Sequence, residues 1–437
     1  MAVKDHEDRS RKLHFNAFIH GSGHHTAAWR QAGSTAGELL DVAYYQQLAQ
    51  VAERGLFDAV FFADGHAAGD VENGPLWNLE PLTLLAALAG STEKIGLICT
   101  ISASFYQPFP TARMLASLDH ISGGRVGWNV VTSMFDAEAR NYGMPALPAH
   151  QQRYERAEEF IDVAQRLWDS WDVDAVVADP RGKYANTGKI RPILHDGKHF
   201  QVEGPLNVPP SPQGRPVLFQ AGASSQGRDL AAKYAEGIYA VAYDLASARD
   251  YYGDVKHRIL QAGRSPENVL IMPGLVTYIG SSRKAALAAQ AEADSYLPVE
   301  QSLAQLGRYI QRDCSDWALD EQVPELAPAS SFTGPAGRYA TILRIVEAEK
   351  PTVRQLLGRL AAGGGHCTMV GTPEQIADGI EQWFLHGGAD GFNLMPPLLP
   401  GSLEEFVDRV VPVLQRRGLF RTRYEGSTLR EHLRPAA

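Results

Sequence analysis

The segment Gly222-Ala223-Ser224-Ser225-Gln226-Gly227-Arg228 has the composition of an anion site. It follows the apolar run Pro216–Gln220 and opens a helical stretch. Small residues let backbone N–H groups approach a phosphate, a helix N-terminus adds partial positive charge, and Arg228 offers a guanidinium. The same residues would also make an N-capped tight turn with a surface arginine. His150 and Tyr154, four residues apart at the start of a helix, share one face and could hydrogen-bond an anion or a polyol chain. The plainer reading is a capping histidine and a half-buried tyrosine. Asp64 closes the apolar run Phe57–Asp64, either as a ligand or general-base carboxylate or as a helix cap. Asn129 lies inside Arg125–Thr132, where a buried amide must find partners, so packing and ligand contact both account for it. His20, Thr100 with Ser102, and Met395-Pro396 complete the polar strand ends.

Other chemistries fit less well. There is no G-x-S-x-G nucleophile elbow, and Cys99, Cys314 and Cys367 form neither a metal pair nor a disulfide framework. His20, His24, His25 and His66 are spaced H-x-x-x-H-H and beyond, without the H-x-H pair of a barrel metallohydrolase, so no metal is expected. His195 and His199 read as surface or hairpin residues of an insertion. A mouth with one carboxylate, amides, hydroxyls and a few histidines points to a cofactor that brings the reactivity.

These residues need a scaffold. In 437 residues, Lys+Arg 41 against Asp+Glu 50 gives −9, with 44% hydrophobic and 21% charged. That composition excludes a disordered chain and argues against a nucleic-acid binder. No apolar run approaches the roughly 18 residues of a membrane span. Met1–Lys12 is charged in both signs and has no apolar core, so it is not a signal peptide. A cytoplasmic location is expected. Apolar strands at His14–His20, Phe57–Asp64, Ile95–Ser102, Arg125–Thr132, Pro216–Gln220, Gly237–Tyr243, Val269–Gly280 and Gly391–Met395 alternate with amphipathic helices. Eight such units predict an α/β fold, a closed TIM (β/α)8 barrel. An open doubly wound sheet competes, but its G-x-G-x-x-G fingerprint is missing: Gly21-Ser22-Gly23 does not match, and Gly363-Gly364-Gly365 follows no recognisable strand. A barrel needs about 250 residues. The surplus falls in two insertions of one 1–437 domain: 172–215, hairpin-like around His195–Gly197, and 299–365, helical and after the seventh strand. Both are expected to build the pocket over the barrel rim.

The segments AERGLFDAVFFADG (52–65), EPLTLLAALAGSTEKIGL (80–97), RVGWNVVTS (125–133), DAEARNYG (136–143) and RYERAEEFIDVAQRLWDSW (153–171) resemble one known family. So do GPLNVPPSPQGRPVLFQAG (204–222), GTPEQIADGIEQWF (371–384), DGFNLMPPLLPGS (390–402) and VPVLQRRGLFRTRYEGSTLREHL (411–433). The resemblance is to the flavin-dependent monooxygenases of the bacterial luciferase-like superfamily, and within it the nitrilotriacetate, EDTA and dibenzothiophene-sulfone monooxygenase group. Thr352–His366 looks most like the nitrilotriacetate component A type. The resemblance implies a barrel that receives reduced FMN (FMNH2) from a separate NAD(P)H:flavin reductase. It implies O2 addition at the flavin C4a position and oxygenation of a small organic substrate, often with C–N or C–S cleavage.

Carried over by position, the flavin contacts fall on Asp64, Thr100, His150, Tyr154 and Ser224, with Asn129 close to the ring; Ser225 and Arg228 extend the phosphate loop on physical grounds. The wider family often pairs histidines after its second strand; Asp64-Gly65-His66 keeps one, so no base transfers. His20 is the candidate proton-handling residue, or else it caps the rim. A homodimer or homotetramer is implied. The 299–365 insertion, carrying Tyr309, Trp317, Phe332 and Tyr339, is a plausible water-excluding lid. Its Arg308, Arg312, Arg338, Arg344, Lys350, Arg354 and Arg359 face eight acids, so net charge does not mark the substrate as a polycarboxylate. A metal-dependent barrel hydrolase and a non-catalytic flavin-binding protein are the competing functions.

Overall fold

The computed structural model describes residues 11–434 apart from 70, 73, 76–78, 329–331 and 333–335, without the side chains of 336 and 337. Most of the charged N-terminal stretch read above lies outside the described residues. Eight parallel strands close on themselves: β1 His14–Ile19, β2 Ala59–Phe62, β3 Gly96–Ser102, β4 Val126–Val131, β5 Val217–Gln220, β6 Gly237–Ala240, β7 Leu270–Ile279 and β8 Gly391–Leu394. The return pairing of β8 with β1 runs from His14↔Gly391 to Ala17↔Leu394, which makes the TIM barrel the sequence predicts. Every residue of β1, β3 and β7 is buried, as expected of strands covered on both faces. The period of two then divides them. Phe18, Phe61, Ile98, Phe219, Met272 and Met395 fill the barrel interior, while Phe15, Ala17 and Ile19 join the layer beneath the helices.

Local signals set the helix starts. Glu80 accepts from the N–H groups of Leu82 and Thr83 ahead of Pro81–Ala89, and Ser282 caps Arg283–Ser295. The final apolar stripe is one helix by periodicity, yet it breaks into Gly401–Glu405, a π-turn at Phe406–Val410 and Val411–Arg416. Pro412 has no N–H and would crowd the carbonyl four residues back, and the wider turn relieves that conflict.

A short strand, Cys367–Gly371, was not legible in the sequence. β7 is ten residues long and outlasts its neighbour β6, which pairs only as far as Ala240↔Pro273; Cys367–Gly371 then pairs with Leu275–Ile279. Pro273, which lacks a donor, sits where the partner changes.

The helix Leu429–Leu433, also unforeseen, plugs the N-terminal end of the barrel. A Cβ on Gly96 would stand 2.5 Å from Leu429 Cδ1, and one on Gly127 3.2 Å from Cδ2.

The two insertions lie at opposite ends. Residues 172–215 do contain an antiparallel hairpin, His195–Asp196 with Gln201–Val202. The expectation that they roof the rim is corrected: they connect the helix His150–Trp168 to the entry of β5, and their Pro-rich end binds the start of β4. There Gln213 Nε2 donates to Asp119 Oδ1 and to the Val126 carbonyl, each at 2.8 Å. Residues 299–365 reach the mouth instead. Ala361 O accepts from Thr26 N at 2.9 Å, and Ala362 bridges His25. Their helices Val299–Ile310, Ala336–Glu349 and Val353–Ala361 carry a core of their own in which Trp317 and Tyr339 are buried.

Candidate active site

Among the described residues, the C-terminal ends of β3, β4 and β5 form one arc of the mouth. The register sets Thr100 beside Asn129. Asn129 Nδ2 donates to Thr100 Oγ1 at 2.9 Å, and Thr100 Oγ1 donates to the Phe62 carbonyl at 2.8 Å. Those two bonds fix the amide, and Asn129 Oδ1 is left buried without a partner. An orphan of that kind costs about 1–3 kcal/mol.

Past β5, Gln220 Oε1 accepts from Gly222 N at 2.8 Å and folds the chain back. Ser224 Oγ accepts from Gly227 N at 3.1 Å and caps the helix Ser225–Tyr234. Gly222 and Gly227 meet backbone to backbone: a Cβ on either would stand within 2.8 Å of the other's Cα. Tyr154 Oη lies 3.1 Å from the same position on Gly227, and the His150 ring lies 4.8 Å from that of Tyr154. Thus Ser224, Tyr154 and His150, chosen from sequence, do gather at one loop.

Two neighbours are drawn away from it. Ser225 Oγ accepts from Arg258 at 3.2 Å. Arg228, expected to offer its guanidinium to the loop, donates to Asp254 at 2.8 Å and to the Ala223 carbonyl at 3.0 Å, and lies 4.8 Å over Tyr251. The helix Leu245–Gln261 alongside supplies Asp254 and Tyr251, so Arg228 braces the loop from outside. Asp64 accepts from Gly65 N at 2.9 Å and stands 3.4 Å from His66 Nε2. Burial, and after it the charges of Glu80 and Glu138, push the Asp64 carboxyl up, with His66 opposing.

The other arc holds His20, His24, Tyr239, His366 and Met395. His20 is exposed to water at the rim, and the protein packed around it lowers its pKa. His24 Nε2 donates to the Phe18 carbonyl at 2.9 Å, and its ring is 5.4 Å from that of His20. Burial first, then the charge of His20, hold it well below the usual imidazole range. His366 shares a 3.0 Å hydrogen bond with Tyr239 Oη and is pushed down to about 3 by burial and then by the charge of Arg338. His24 and His366 are therefore neutral at neutral pH. Sequence reasoning missed Tyr239 and His366; the glycine run before His366 was the available signal. His25 is bound to Asp294 at 3.1 Å, and among the described residues no group of three or more His, Cys, Asp and Glu is arranged to hold a metal ion.

A hollow of about 780 Å3 opens at the opposite end, lined by Arg11, His14, Lys256, Asp390 and Arg421. It lies away from the C-terminal strand ends, and its deepest charges are paired: Arg11 and Lys256 with Asp390, and Arg421 with the buried Asp58.

A barrel whose mouth presents amides, hydroxyls and neutral imidazoles takes its reactivity from a bound group. Residues 19–390 match the family model of luciferase-like monooxygenases, and the chain belongs to that family. It is 41% identical over 428 residues to N-acetyl-S-(2-succino)cysteine monooxygenase of Bacillus subtilis, covering 97% of each chain. It is 42% identical to nitrilotriacetate monooxygenase component A of Aminobacter aminovorans, covering 97% of this chain and 96% of that one. The solved EDTA monooxygenase of Chelativorans sp. BNC1 superposes with a TM-score of 0.85 at 36% identity, over 97% and 98% of the two chains. The protein is a two-component monooxygenase that uses reduced FMN and O2. A flavin reductase is the other component. Among the described residues no helix is long and apolar enough to cross a membrane.

Proposed function

We propose that reduced FMN lies across the mouth with its ring against Asn129 and Thr100, its phosphate in the Gly222–Gly227 loop and its side chain along Tyr154 and His150. The observation that carries this reading is the buried, unpartnered Asn129 Oδ1, an acceptor held in place for an N–H that the protein does not supply. The glycine loop supports the other end. Its two glycines leave no room for a Cβ, and Ser224 spends its oxygen on Gly227 N, which leaves the first-turn N–H groups for an anion. Ser225 and Asp64 border the site, and Arg228 holds the loop's shape.

Reduced FMN, when bound, supplies with O2 the oxygenating chemistry. The chain's own residues bind, orient and exclude water. His20, at the rim of the mouth, accepts or returns a proton as the substrate is oxygenated. The substrate is a small organic molecule cleaved at a C–N or C–S bond. The 299–365 insertion covers the mouth as a lid on a single 1–437 domain. The enzyme works in the cytoplasm as a homodimer or homotetramer, receiving FMNH2 from its reductase through transient contact or free diffusion.

The test is an anaerobic titration with reduced FMN. Gly227→Ala should abolish binding, because its Cβ meets backbone, and Ser224→Ala should weaken it about tenfold. Wild-type affinity in Gly227→Ala would remove the loop assignment. Mass spectrometry of reactions with reductase, NADH and O2 over aminopolycarboxylates, thioethers and sulfones would identify the product.

A further inference from the structure

Net charge left the substrate undecided, but pairing separates the insertion's cations. Arg354 is held by Asp320 at 2.8 Å, Arg359 by Glu349 at 3.2 Å and Arg344 by Asp244 at 3.6 Å. Arg312 donates to the Glu325 carbonyl at 3.2 Å, and Arg308 and Lys350 are exposed to water. Arg338 differs. The residue is half-buried, its Nη1 is buried with no acceptor among the described residues, and its guanidinium lies 5.2 Å over the Tyr309 ring. A guanidinium N–H that is shut from water without an acceptor is costly, and a carboxylate that reaches it gains a charge-assisted bond.

Its position ties it to the mouth. Arg338 Nη1 presses on Gly364, whose φ of +63° and missing side chain admit it. On the barrel side of the same run, a Cβ on Gly363 would lie 2.8 Å from Met395 Cε, and Gly363 N donates to the His24 carbonyl at 3.4 Å. Two residues on, His366 meets Tyr239, which donates to Met395 Sδ at 3.4 Å. Among the described residues, the Tyr239, His366 and Met395 side of the mouth is apolar or neutral, with the Arg338 cation at its upper edge.

We propose that Arg338 selects the substrate by receiving one of its carboxylates above the Gly363–Gly365 run, so that this enzyme acts on an acid-bearing thioether or amine. The proposal rests on the flavin reading above, since it places substrate on the arc opposite the flavin. A neutral ester loses the charge-assisted bond and leaves Nη1 unsatisfied, which is how a site discriminates against an isostere.

The experiment is calorimetric titration of the full chain, with reduced FMN present and oxygen absent. The probes are N-acetyl-S-(2-succino)cysteine, nitrilotriacetate and their methyl esters. At least one free acid should bind, and its ester at least tenfold more weakly. Arg338→Met, which keeps an unbranched apolar stem and removes the guanidinium, should lose at least tenfold for the acid with no change for the ester, for reduced FMN or for the melting temperature. Arg338→Lys should recover part of the loss, and it decides the matter if Arg338→Met folds poorly. Equal binding of acid and ester, failure of every acid to bind, or an unchanged acid affinity in Arg338→Met overturns the proposal. Failure of wild type to bind reduced FMN would instead break the flavin reading.

Discussion

The two ends of the barrel treat their buried polar groups differently. At the N-terminal end Asp58 is fully buried and fully used: it accepts from His14 Nδ1 at 3.1 Å and Phe15 N at 2.7 Å and pairs with Arg421. Burial alone would raise its carboxyl, but Arg421 and then His14 hold it at about 2. Tyr424 donates to the Phe57 carbonyl at 2.7 Å, and Leu429 fills the axis. At the C-terminal end Asn129 Oδ1, His366 Nδ1, Thr277 Oγ1 and Arg338 Nη1 are buried without partners. A fold can carry such orphans only where its stability is secured elsewhere or where a ligand completes them. The N-terminal end, where His432 Nδ1 is the unpartnered exception, holds the barrel shut, and the C-terminal end is where the proposed function places the ligands.

Substitutions at the two ends should therefore separate stability from binding. The largest effect belongs to Asp58→Asn, which strands Arg421 and His14: a loss of about 3–5 kcal/mol in urea unfolding is expected, with reduced-FMN affinity of the folded fraction unchanged. Acid probes the same group. A depressed carboxyl stabilises fully above its unfolded value of about 3.9, so roughly 2–3 kcal/mol should vanish as pH falls from about 4 to 2. The gap between wild type and Asp58→Asn should narrow by roughly 2–3 kcal/mol across that window, and parallel curves would clear Asp58 of the role. Asn129→Leu should reverse the pattern, with stability within about 1 kcal/mol of wild type because an orphan is removed. Its reduced-FMN affinity should fall at least tenfold, about 1.4 kcal/mol, in a stopped-flow titration. The smallest effect is Tyr154→Phe, which should lower coupled turnover a few-fold while the melting temperature holds. A large drop in melting temperature would return Tyr154 to a packing role.

Legibility followed sequence distance. Helix starts at Pro81, His150 and Ser225 depend on neighbouring residues and match their sequence signals. The cradle was partly legible because Ser224 and Gly227 lie in one segment, and His150 and Tyr154 in one helical turn. Arg228 deceived because its partner Asp254 comes from the next helix. Tyr239 and His366 are 127 residues apart, and nothing local announces that they meet. The Cys367–Gly371 strand stayed hidden because its middle three residues are only half buried, which blurs the alternation.

Period, caps and strand-end residue types fixed an alternating βα chain and the rim positions of its polar groups, because apolar burial and backbone hydrogen bonding act over a few residues. Only tertiary closure decided which end is sealed, which insertion reaches the mouth and which polar atoms go without partners. Those outcomes depend on distances between segments hundreds of residues apart, and a charge or an amide acquires its role from what it fails to meet as much as from what it touches.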